Sequence, residues 1–324
     1  MLLKNLWCGM MSLRGCVVSA AVSGLLLLAA CGGDSGTSVP INNESESSSS
    51  TDSLNSSSSS SEESSSGVEE VSSSSQDGSS SSSSAALNCS VLLEGETGWS
   101  WDVPKECRFN PNITYGTMTD SRDNKVYKTV KIGNQVWMAE NLNYADSVKT
   151  PSLMGKNWCY ANKAENCAVT GRLYTWAAAI DSVTLATDAD NPQDCGFDKT
   201  WNCTLPAKVQ GICPDGWHLP TQVEWNTLFA EVGGKLRAGK ILKAQTGWYD
   251  SGNGTDSVGF SALPAGGRDN GGQFGADGNS AYFWCTNSAG SFYASYMSLD
   301  YNVYAGLEYG LKDTAFSVRC LKDL

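Results

Sequence analysis

Cys213-Pro-Asp-Gly-Trp217-His-Leu219-Pro220-Thr221-Gln-Val-Glu224-Trp225 is the stretch on which the fold turns. Thr221 and Glu224 stand at the spacing of a capping box, in which a hydroxyl and a carboxylate satisfy backbone N–H groups orphaned at a helix start. Trp225, Leu228, Phe229 and Val232 follow at helical spacing as one buried stripe, and Gly233-Gly234 ends it. His218 therefore lies at a strand-to-helix junction between two apolar residues, a structural position.

Working outward from this helix, Lys125 to Ile132 alternates, with Val126, Lys128, Val130 and Ile132 on one side and Tyr127, Thr129 and Lys131 on the other. Gly133-Asn134 then reads as a two-residue turn into Gln135-Val-Trp-Met138, a hairpin. Gly171 to Asp181 is expected to form a second helix, because Leu173, Trp176, Ala177 and Ile180 fall at helical spacing. The C-terminal part alternates Gly- and Asn-rich loops with short strands at Gly259–Arg268, Ala281–Asn287 and Ala315–Cys320. Such a pattern predicts an α+β domain with long loops.

The other end of the chain has the layout of an exported lipoprotein. Lys4 and Arg14 precede an uncharged stretch from Val17 to Leu28, too short to span a bilayer, which takes about 20 apolar residues. Leu28-Ala29-Ala30-Cys31-Gly32 matches a lipobox, so residues 1–30 are expected to be a signal and Cys31 the lipidated residue. Acyl chains at about 0.8 kcal/mol per buried methylene make such an anchor durable. Residues 31–87 carry the anchor and a serine-rich, acidic tether with little to bury, expected to stay disordered. Residues 88–112 form a small cystine-containing lead-in, and 113–324 the main domain. The expected location is the outer membrane, facing the exterior, with the membrane itself a partner through the lipid.

The net charge of −12 comes mostly from the tether; from Lys105 onward 22 acids face 20 Lys and Arg, a difference of −2. No basic stripe is visible, which argues against nucleic acid as a partner.

Of the 12 cysteines, two leave with the signal and Cys31 is lipidated. The rest read as the disulfide framework of an exported domain. Zinc competes poorly, with no CxxC pair and one histidine. Spacing leaves connectivity open. The local-first expectation pairs Cys89 with Cys107, Cys159 with Cys167 and Cys195 with Cys203, then Cys213 with Cys320 over a long range. Cys285 is left over.

Several blocks together resemble the major paralogous domain of Fibrobacter succinogenes. They are Thr129 to Asn143, Gly171-Arg-Leu-Tyr-Thr-Trp-Ala-Ala-Ala179, Cys213 to Trp225, Gly259 to Arg268 and Ser317 to Asp323, in that order. More distantly, Gly216 to Trp225 resembles a block of formylglycine-generating, sulfatase-modifying domains. That likeness implies a C-type lectin-like fold: short twisted antiparallel strands, two helices and long loops, here disulfide-stapled. It also raises an oxidase activity, for which Cys285 is the candidate thiol, although such enzymes use a pair of reduced cysteines.

Other chemistry is thinly marked. His218 alone can serve a triad. Glu224 is explained by its cap, and Glu140 braces a loop or belongs to a carboxylate pair. Asp250, Asn253 and Asp256, or Asp269, Asp277 and Asn279, offer loop oxygens suited to Ca2+, although no EF-hand or calcium-lectin motif accompanies them. Aromatics are the best functional hint. Trp248, Tyr249, Tyr293, Tyr296, Tyr301, Tyr304 and Tyr309 crowd the glycine-rich half, and flat rings with polar tips stack on sugars when exposed. The reading that results is a non-catalytic binding or adhesion module whose partner is plant cell-wall polysaccharide or another surface protein. An oxidase and a structural component of a surface assembly are the alternatives.

Overall fold

The computed structural model describes residues 87–199 and 203–324; the expected signal, Cys31 and the tether up to residue 86 lie outside them. The first six strands are β1 (Gly116–Thr119), β2 (Val126–Ile132), β3 (Gln135–Met138), β4 (Asn157–Trp158), β5 (Leu173–Thr175) and β6 (Trp217–His218). The remainder are β7 (Ala265–Arg268), β8 (Phe274–Asp277), β9 (Ala281–Ala289), β10 (Tyr293–Leu299), β11 (Ala305–Leu311), β12 (Ala315–Phe316) and β13 (Leu321–Lys322). One sheet runs β1-β2-β3-β13-β6, and the other runs β11-β10-β9-β7-β12-β5-β4 with β8 added on β7. The named strands pair antiparallel except β7 with β9, where Gly266 meets Ala281 in parallel, and two isolated bridges, Lys243 with Ala262 and Phe283 with Ser317, are also parallel. The protein is thus α+β with antiparallel sheets.

The expected hairpin forms in the expected register, Ile132 opposite Gln135. Gly133 takes φ +58°, the left-handed region in which a side chain is disfavoured. β13 closes the chain onto this hairpin, with Leu321 facing both Trp137 and His218.

The helices are α1 (Cys89–Leu93), α2 (Ala164–Thr170), α3 (Trp176–Ala179), α4 (Ser182–Ala186), α5 (Gln222–Glu231) and α6 (Lys235–Leu242). α5 carries both halves of its capping box, with the Thr221 hydroxyl accepting from the Glu224 N–H and the Glu224 carboxylate from the Thr221 N–H. The helix expected over Gly171–Asp181 is corrected: Leu173–Thr175 is strand β5, and only the four-residue α3 follows. The segment is buried on every side, so its apolar spacing never distinguished helix from strand. The second long helix is instead α6.

Two cores fill the space beside the sheets. In one, Trp137, Trp225, Phe260 and Phe283 interlock, with Trp137 and Trp225 ring centroids 4.5 Å apart. In the other, Tyr174, Trp176, Trp284 and Phe316 pack around the Cys213–Cys320 disulfide. That bond spans 107 residues, for which the chain-entropy model gives about 4–5 kcal/mol. Cys89–Cys107, Cys159–Cys167 and Cys195–Cys203 are the other three disulfides. Cys285 is a buried free thiol. No helix among the described residues is long and apolar enough to cross a membrane.

Candidate ligand-binding surfaces

The β10–β11 hairpin gathers most of the exposed rings. β11 is an edge strand, and Tyr309 sits opposite Ser295, on the same sheet face as Tyr293. Tyr301 and Tyr304 stand in the connecting loop. Tyr293, Tyr301, Tyr304 and Tyr309 are all more than 40 % exposed. The loop is held from beneath: the buried Lys243 ammonium donates to the carbonyls of Asp300 and Asn302, each at 2.7 Å, and the Lys240 N–H donates to Val303. The rings therefore ride on a fixed scaffold.

Two rings of the expected set are corrected. Trp248 is fully buried in the core, its Nε1 donating to the Ala262 carbonyl. Tyr296 is buried against Phe316, Tyr282 and Trp284, and its hydroxyl donates to Glu308. Burial removes both as platforms for a ligand. Tyr249 has an exposed edge, but its ring fills the space that a side chain on Gly98 or Gly278 would need, so it clasps the lead-in.

The oxygens considered for calcium are engaged elsewhere. Asp256 is buried and accepts from the Ser261 N–H at 2.7 Å and the Ser261 hydroxyl at 2.6 Å. Burial, against those hydrogen bonds, pushes its carboxyl up to about 6. Asn253 Oδ1 accepts from the Trp248 N–H, and Asp250 lies exposed at φ +52°. Asp277 accepts from Tyr160 and from Trp101 Nε1, and Asp269 from the Gln273 N–H. Asn279 forms part of the β8–β9 turn, its N–H donating to Ala276. Among the described residues, no group of three or more His, Cys, Asp or Glu is placed to hold a metal ion.

His218 is clamped between two carboxylates, Nδ1 at 2.6 Å from Asp323 and Nε2 at 2.8 Å from Glu224. Burial alone lowers its basicity, yet the hydrogen bonds to Glu224 and Asp323 outweigh this and raise its pKa. With both nitrogens occupied it ties the last residues to the α5 cap. Cys285 lies in the core, where burial pushes its thiol up to about 12. The other described cysteines are in disulfides, so a pair of reduced thiols is not present among the described residues.

A second surface, missed by the sequence reading, lies where the lead-in meets the domain. A groove of about 410 Å³ is bordered by Trp101, Asp102, Pro104, Lys105 and Glu106 on one side. Lys125, Tyr127, Asn143 and Glu165 border the other. The Trp101 ring is backed by Tyr160, centroids 4.9 Å apart. Behind the groove, sharing Lys105, Asn143 and Val169 with it, is a chamber of about 20 Å³ reached by Arg108, Glu140, Asn141, Ser261 and Arg319. That is room for about one water-sized group. Gly171 makes the close approach possible: at φ +73° it brings its Cα against the Asn141 and Leu142 carbonyls, 2.8 Å from where a Cβ would sit. Glu140 does brace this region, accepting from the Lys128 N–H at 2.6 Å and pairing with Lys105. The groove was hidden because its walls come from segments far apart in sequence, and only the lead-in's Trp101 and lysine gave a local sign.

The model of the Fibrobacter succinogenes major domain matches residues 130–322, more than half of the chain. The chain belongs to that family. No curated protein and no solved structure matches it.

Proposed function

We propose that this protein is an extracellular binding module, held to the outer membrane through Cys31 and a serine-rich tether, that adheres to plant cell-wall polysaccharide through the β10–β11 hairpin. The observation that carries this reading is the set of four tyrosines left exposed on one braced hairpin. Exposed rings of this kind combine large contact area with few rotors, so little entropy is lost on stacking against a sugar. The lipobox and the serine-rich, acidic composition of residues 31–87 support display. A C-type lectin-like arrangement is part of the same reading, supported by short antiparallel strands, two longer helices and long loops.

Retention of the full chain on insoluble cellulose and on xylan is the test. The wild-type chain is expected to be retained, and Tyr301→Ala or Tyr309→Ala to lower retention several-fold, on the order of 1 kcal/mol per ring. Retention unchanged with all four rings replaced in a folded protein sinks this reading and favours a protein partner.

A further inference from the structure

Three cations line the chamber behind the lead-in groove, with the carboxylate of Asp256 close enough to act on Arg319 and that of Glu96 on Arg108. Lys105, Arg108 and Arg319 line it, and Glu140 is the one carboxylate among its lining residues. Glu140 is already engaged by Lys105 and the Lys128 N–H. Arg319 has an acceptor at each of its three nitrogens, Asn141 Oδ1 and the carbonyls of Phe260 and Ser261. Arg108 differs. It is 2 % exposed and lies over the Trp99 ring, with Nη2 donating to the Ser100 carbonyl at 3.0 Å and Nη1 reaching Thr246 at 3.4 Å. Its Nε meets no acceptor. A buried cationic donor left unpaired is costly, and an anionic oxygen is the acceptor that hydrogen-bonds such a donor most strongly.

The groove in front narrows the choice of ligand. Asp102, Glu106 and Glu165 stand at its mouth against Lys105 and Lys125, so a densely charged polyanion is repelled there. The partly exposed Trp101 offers apolar surface to a ring. The chamber itself admits little more than a carboxylate oxygen, so the body of the ligand must stay in the larger groove.

We propose that the groove binds a ring-bearing molecule with a single carboxylate, whose oxygens reach Arg108 and Lys105 while its body lies against Trp101. An isolated uronic acid unit on an otherwise neutral sugar chain has this chemistry. Arg108, Lys105 and Trp101 all precede residue 130, where the family match begins, so the lead-in supplies the selectivity. The proposal is independent of the tyrosine hairpin, which lies on other strands.

The test is titration of the full chain with glucuronate, glucose and acetate, followed by calorimetry and by the fluorescence of the tryptophans beside Arg108. Glucuronate is expected to saturate and glucose to give no signal. Acetate, which has no ring to lie against Trp101, is expected to bind more weakly, and acetate binding as tightly as glucuronate overturns the ring contact. Lys105→Met, a partly exposed position, is expected to weaken glucuronate at least ten-fold, and Arg108→Gln to abolish it. Should Arg108→Gln fail to fold, the Lys105→Met titration decides. Absence of a saturable signal with both acids, glucose binding as well as glucuronate, or unchanged affinity in Lys105→Met overturns the proposal.

Discussion

The seam around Arg319 and the hairpin bearing the tyrosines treat their side chains in opposite ways. In the seam, polar groups go inside: Arg319, Asn141, Asp256 and Ser261 are all buried, and Arg319, Asn141 and Ser261 find partners from segments distant in sequence, while Ser261 holds the Asp256 carboxylate from five residues away. On the hairpin, Tyr293, Tyr301, Tyr304 and Tyr309 keep about half of their surface outside, and of its tyrosines only Tyr296 is buried. Burying polar groups requires compensation for lost hydration, so such a seam specifies one arrangement of the chain. Leaving half of a ring in water forgoes part of the about 1.5–3 kcal/mol that full burial of a large side chain supplies. One region holds the shape, and the other is free to meet something.

The comparison breaks most severely at Arg319. Its guanidinium lies 4.3 Å from the Phe260 ring, and burial pushes it down to about 9, still charged at neutral pH. Arg319→Met fills much of the same volume but leaves Asn141 Oδ1 and the Phe260 and Ser261 carbonyls without their donor. Each orphaned buried acceptor costs about 1–3 kcal/mol, so a loss of about 3–5 kcal/mol is expected by urea unfolding. A loss below 1 kcal/mol means that the seam relaxes or admits water, and the contrast with the hairpin fails.

A smaller effect, and one that depends on pH, belongs to His218. Its pKa is raised above 6.5, so its contribution is full below that value and is lost as pH rises through the folded-state pKa. Burial pushes Glu224 and Asp323 up, but hydrogen bonds from His218, Thr221 and Lys208 prevail and lower both. Their contributions are present above the unfolded values of 4.5 and 3.8 and are lost as pH falls through the folded ones. The clamp is therefore strongest between those carboxylate values and 6.5. His218→Gln is expected to cost about 1.5–3 kcal/mol at pH 5.5 and clearly less at pH 8.5. An equal cost at both pH values means that the ring acts by packing alone.

What the sequence made legible follows the same divide. The hairpin at Gly133-Asn134 and the capping box at Thr221 and Glu224 are local devices, readable because their partners are two or three residues apart. The four disulfides coincide with the local-first pairing plus Cys213–Cys320. Leu173–Thr175 was misread because a segment buried all round loses its period. Trp248 and Tyr296 were misplaced because ring content says nothing of which face is covered. Arg108 and Arg319 stand 211 residues apart in number yet line one chamber, and no local pattern announces that.

The smallest stability effects, and the sharpest test of the contrast, are expected on the hairpin. Tyr301 and Tyr309 touch little of either core, so Tyr301→Ala and Tyr309→Ala are each expected to change unfolding free energy by no more than about 0.5 kcal/mol. Their spacing matters more. Tyr309 faces Ser295, and at about 3.4 Å per residue the end of the paired strands at Leu299, where the loop bearing Tyr301 begins, lies about 14 Å farther along the hairpin. Sites that far apart with no shared neighbour behave independently, so their losses should add to within about 0.5 kcal/mol when both engage one polymer. A short oligosaccharide that covers only one end should instead register one substitution and ignore the other. Comparing a long xylan with a short fragment across the two single variants and the double variant measures both quantities at once. If either substitution destabilises the domain by more than about 1.5 kcal/mol, the ring belongs to the core, and the hairpin is built like the seam after all.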